Sequence, residues 1–105
     1  MTTVVDPEGL ARAVARGRSA VLFHATWCPH CRRFAPEFRR ALEAADGRRA
    51  VEAVVDDEAN PLWTLHAIEV VPTVIFFEEG RATKRLDGVL GVGLDAERLG
   101  SALAE

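Results

Sequence analysis

Ala20-Val21-Leu22-Phe23-His24-Ala25-Thr26-Trp27-Cys28-Pro29-His30-Cys31 runs from a strand, through a cysteine pair, into a helix. Ala20 to Phe23 is a continuous apolar run, which fits a strand covered on both faces and implies a parallel-sheet core. From Pro29 to about Ala45 the pattern turns helical. Phe34, Phe38 and Leu42 recur every four residues on one side, while Arg32, Arg33, Arg39, Arg40 and Glu43 fill the rest. Pro36 interrupts that helix. It has no amide for the Arg32 carbonyl, so a kink is expected one to two turns after the cysteines.

Outward from this segment, strands and helices alternate. Asp6-Pro7 starts a helix, because Asp caps free amides and Pro costs nothing at the first helical position; Leu10 and Val14 share its face and Gly17 ends it. Thr2 to Val5 is expected as an edge strand. Ala50 to Val55 is another apolar strand, broken by Glu52, and Asn60-Pro61 caps a short helix through Leu65 and Ala67. Val70 to Phe77 places Pro72 at the entrance of a strongly β-prone run. Glu79-Gly80 reads as a turn, Ala82 to Leu86 as the returning antiparallel strand, Gly88 as a bend or bulge, and Asp95 as the cap of a last helix packing through Leu99 and Leu103. The order β, α, β, α, β, α, β, β, α predicts an α/β fold. Strands separated by helices are expected to be parallel neighbours with right-handed crossovers, and the closing hairpin makes the sheet mixed. No repeat or linker breaks residues 1–105, so one domain is expected.

Composition narrows the function classes. At 49% hydrophobic residues the chain can build a core without a string of disulfides. A net charge of −3 speaks against a general nucleic-acid binder, and no segment is long enough to cross a bilayer. The first residues lack the basic start and apolar stretch of a secretory signal, so a cytoplasmic protein is expected. A monomer is expected as well. The two cysteines, two residues apart, cannot form a multi-bridge scaffold.

The placement of the pair carries the chemistry. Cys28 falls at a helix N-terminus, where unpaired amides and the helix dipole favour thiolate over thiol. Cys31, one turn later, comes within bonding reach of it. Such a dithiol can close to a disulfide with little rearrangement, as exchange through a mixed disulfide requires. Pro29 stiffens the pair, and His30, protonated or donating a ring hydrogen, would stabilise the thiolate and make the disulfide a stronger oxidant.

Phe23, Ala25, Trp27-Cys28, Cys31, Pro36, Asp56, Pro72-Thr73, Phe77, Gly80 and Gly88 together resemble the thioredoxin family over nearly the whole chain. The resemblance implies a thioredoxin fold, a central mixed β-sheet flanked by helices, and a protein disulfide oxidoreductase. It implies Cys28 as the exposed nucleophile, Cys31 as the resolving thiol and a cis bond before Pro72. Trp27, Val71 and Pro72 would then line the substrate groove, where the Val71 backbone pairs with an extended client. Its partners would be protein disulfide or dithiol substrates, with electrons from a thioredoxin reductase or a thiol pool, and it needs no metal or organic cofactor.

Two departures stand out. Pro29-His30 replaces the usual Gly-Pro and is the dipeptide of DsbA-type oxidases, leaving the direction of electron flow open. The buried aspartate six residues before the first cysteine is here Leu22. Glu52, where thioredoxins usually have lysine, is the candidate proton carrier for Cys31, since a carboxylate in an apolar strand should have a raised pKa. Two other readings stay open: a zinc-stabilised module, drawing two further ligands from His24, His30 and His66, and a client-binding module that uses the fold only as a scaffold.

Overall fold

The computed structural model describes residues 2–45 and 47–105. Among them, the elements are β1 (Thr2–Val4), α1 (Pro7–Val14), β2 (Arg18–His24), α2 (Pro29–Ala44), β3 (Arg48–Val54), α3 (Pro61–Leu65), β4 (Thr73–Glu78), β5 (Arg81–Leu86) and α4 (Ala96–Ala104). The helix starts follow the local code. Asp6, Asn60 and Asp95 each accept an amide of the first turn, and Pro7, Pro29 and Pro61 stand just inside their helices. Helix α2 continues through Pro36.

The strands form one mixed sheet in the order β1-β3-β2-β4-β5. Strand β3 runs parallel to both β1 and β2, whereas β4 is antiparallel to β2 and to β5. The apolar run at 20–23 is covered on both faces, as expected. Val21 and Phe23 pack with Leu10, Val14 and Leu62 on the side of α1 and α3, and Ala20 and Leu22 pack with Phe34, Phe38, Leu42 and Leu99 on the side of α2 and α4.

Two expectations are corrected. A helix separates β3 from β4, yet these strands run in opposite directions, because β4 is antiparallel to β2 while β3 is parallel to it. The five-residue α3, Ala67 (φ +50°) and the cis Val71–Pro72 bond lie between them, and the chain enters β4 from the end at which β3 finished. The sheet irregularity also lies between Phe76 and Phe77 rather than at Gly88. Gly88 instead abuts the Pro72 carbonyl, with no room for a Cβ.

Candidate active site

Cys28 is the N-cap of α2. Its extended backbone (φ −94°, ψ 115°) turns Sγ back over the first turn, where it accepts the Cys31 amide at 3.3 Å, a hydrogen bond that strengthens when the sulfur carries negative charge. Both cysteines are free thiols. Cys28 is only 6% exposed, less than the resemblance implies, and Cys31 is fully buried. The Cys28 thiol faces the Val71 carbonyl oxygen at 3.7 Å, so the bend at Pro72 brings the chain against the reactive sulfur. Burial, followed by the hydrogen bond and charge of Cys28, pushes the Cys31 thiol up from 9.0 to about 12.

The loop before Cys28 is clasped by Asp56. The Asp56 carboxylate accepts the Thr26 amide at 2.7 Å and the Thr26 hydroxyl at 2.6 Å. These bonds hold its carboxyl below the ordinary value. The Trp27 indole N–H donates to the Asp56 carbonyl at 2.9 Å, and Arg32 donates to the Thr26 carbonyl at 3.0 Å. The available signal was topological: β2 and β3 are in register, with His24 beside Val54, so the residues just after each strand must meet.

On the other side, Arg33 Nη2 lies 3.1 Å from His30 Nδ1 and donates to the Val92 carbonyl at 2.9 Å. Arginine only donates, so Nδ1 is the accepting nitrogen and the ring proton is on Nε2. His30 packs so closely on Gly93 (φ +85°) that a Cβ there would collide with it. A groove of about 490 Å³ opens beside the cysteines, lined by Trp27, Cys28, His30, Val71, Val89 and Leu90 among others. Trp63 is half-buried, packs against the core and also lines the groove. The geometry thus brings together Trp27, Cys28, Pro29, His30, Cys31, Val71 and Pro72, and places Glu52 elsewhere.

Sequence comparison decides the family. Residues 2–99 match the family profile described as Thioredoxin. The chain belongs to the thioredoxin family. It is 34% identical over 107 residues to the thioredoxin of Mycolicibacterium smegmatis, covering 97% of this chain and 95% of that one. It is also 43% identical over 67 residues to protein disulfide-isomerase A2 of Mus musculus, covering 60% of this chain and 12% of that protein. Among solved structures it superposes on Plasmodium falciparum thioredoxin with a TM-score of 0.84 at 19% identity, covering 99% and 97% of the two chains. It is a thiol-disulfide oxidoreductase built on the thioredoxin fold.

Within this thioredoxin-family site the expectation for Glu52 is corrected. Burial pushes its carboxyl up, but Arg39 and then His24 together outweigh burial and hold it below the ordinary value. Arg39 grips it with two hydrogen bonds, Nε to Oε2 at 2.9 Å and Nη2 to Oε1 at 2.8 Å. His24 Nε2 stands 3.0 Å from Oε1 without the geometry of a directed hydrogen bond.

The three histidines point to separate surroundings: His24 to Glu52, His30 to Arg33, and His66 to the rings of Phe23 and Phe77. Among the described residues no three His, Cys, Asp or Glu side chains converge on one point.

Proposed function

We propose that this protein exchanges disulfides with protein clients through Cys28 as nucleophile and Cys31 as resolving thiol. The Cys28 thiolate attacks one sulfur of a client disulfide, and the other client sulfur leaves as a thiolate and takes a proton. Deprotonated Cys31 then attacks the Cys28 sulfur, releasing the second client thiol and closing the Cys28–Cys31 disulfide. Two electrons pass to the client, and a reductase or thiol pool restores the dithiol. The observation carrying this reading is the Cys28 sulfur at the α2 N-cap, accepting the Cys31 amide on the floor of a groove. The Val71 carbonyl beside that sulfur supports the assignment of Val71 and Pro72 to client binding, with the Val71 backbone pairing an extended segment.

The dipeptide Pro29-His30 supports a disulfide more oxidising than that of ordinary thioredoxin, in the direction of DsbA-type proteins. Arg33 contacts Nδ1 of that histidine, which leaves Nε2 as the ring nitrogen free to donate in the groove shared with Cys28. The expected midpoint on equilibration with glutathione therefore lies between roughly −270 mV, typical of thioredoxin, and roughly −120 mV, typical of DsbA. A Cys31→Ser variant should accumulate a mixed disulfide with a protein client, and Cys28→Ser should form none. Retention of client reduction by Cys28→Ser overturns the assignment.

A further inference from the structure

The groove beside Cys28 is apolar on its floor and acidic at its rim. Trp27, Val89 and Leu90 present apolar surface there, 51%, 48% and 83% exposed respectively. Glu58, in the loop after β3, and Glu69, just before the Val71–Pro72 bend, also line it, and both are exposed. Neither forms an ion pair among the described residues. The chain has 13 lysines and arginines, yet none lines this groove. Arg32 and Arg33, next to the cysteine pair in sequence, bond instead to the carbonyls of Thr26 and Val92.

We propose that this groove selects extended client segments carrying a bulky aliphatic residue and a lysine or arginine close to the cysteine under attack. The aliphatic side chain covers Trp27 and Leu90, removing exposed apolar surface from water. The cation lies between Glu58 and Glu69, both without a cation of their own. A client carboxylate in that place meets two carboxylates and the Cys28 thiolate. The inference rests on the disulfide-exchange reading and adds the chemistry of the client.

Exposed ion pairs are individually weak, so discrimination of about five- to tenfold in kcat/KM is expected from two glutamates acting together, largely erased at high salt. The test uses the full chain, pre-reduced, with three disulfide-linked peptides differing only in having Lys, Gln or Glu two residues from a Leu-Cys pair. Wild type should reduce them in the order Lys, Gln, Glu at low ionic strength. A Glu58→Gln/Glu69→Gln double variant should remove the preference for Lys over Gln and narrow the gap between Gln and Glu. Leu90→Ser should slow all three together. Equal rates in wild type, or a lysine preference that survives in the double variant, overturns the proposal while leaving disulfide exchange intact. Failure to reduce even the Gln peptide overturns the exchange reading and this inference with it.

Discussion

Among single residues, His30 is the one expected to set the potential of the pair. Arg33 contacts its Nδ1 and Gly93 lies against its Cβ, which leaves Nε2–H as the donor the ring offers in the groove it shares with Cys28. Removing that donor destabilises the thiolate and hence the reduced form, so His30→Ala should move the midpoint to a more negative potential. One pKa unit of thiolate stabilisation corresponds to about 30 mV for two electrons. Equilibration with glutathione measures the shift, and an unchanged midpoint shows that the histidine does not tune the pair. The reactive residues were legible in the sequence because their signal is local: a cysteine, a proline and a second cysteine at the junction of a strand and a helix. Glu52 was misread because its partner Arg39 lies thirteen positions away on α2, and no spacing rule says which arginine of that helix turns toward β3.

At the level of elements, the end of β5 is stitched to the bend that presents Val71. Thr73 Oγ1 donates to the Val70 carbonyl at 2.6 Å and accepts the Gly88 amide at 3.2 Å. A Cβ on Gly88 would press into the Pro72 backbone carbonyl, which no side-chain rotation relieves. Gly88→Ala should therefore cost about 1–3 kcal/mol of stability, in the range of overpacked sites. It should also lower kcat/KM for protein clients, since relief means moving the segment beside Cys28. Urea unfolding and client reduction check both parts, and full stability in the variant refutes the account. Element types were readable from apolar period and capping residues. The reversed direction of β4 was not, because it depends on how residues 66–72 turn, and the patterns of the flanking elements are the same for either direction.

Across the whole molecule, the shifted groups set the pH range in which the fold is stable. Burial, assisted by the charge of Arg39, lowers His24 below its ordinary 6.5, and burial with the charge of Arg85 does the same for His66. Glu52 is lowered because Arg39 and His24 together outweigh burial, and Asp56 by the bonds from Thr26. In each case the unfolded chain binds more protons than the fold over the shifted range, so stability falls as pH drops. The loss should begin below 6.5 through the histidines and deepen below 4.5 through Glu52. Cys31 works from the other side. Its thiol stays protonated in the fold up to about 12 but ionises near 9.0 when unfolded, so the reduced protein should lose stability above 9.0, by up to about 1.4 kcal/mol per pH unit. Closing the Cys28–Cys31 disulfide removes that thiol and should abolish this alkaline loss. Glu52→Gln should remove part of the acid loss below 4.5 and cost about 1–2 kcal/mol at neutral pH, less than a fully buried pair because Arg39 reaches solvent. Urea midpoints from pH 3 to about 11 on both redox forms measure these limbs. An alkaline decline of equal slope in the reduced and oxidised proteins would mean that Cys31 is not the group responsible, and a midpoint rising as pH falls through the imidazole range would reverse the assignment of His24 and His66.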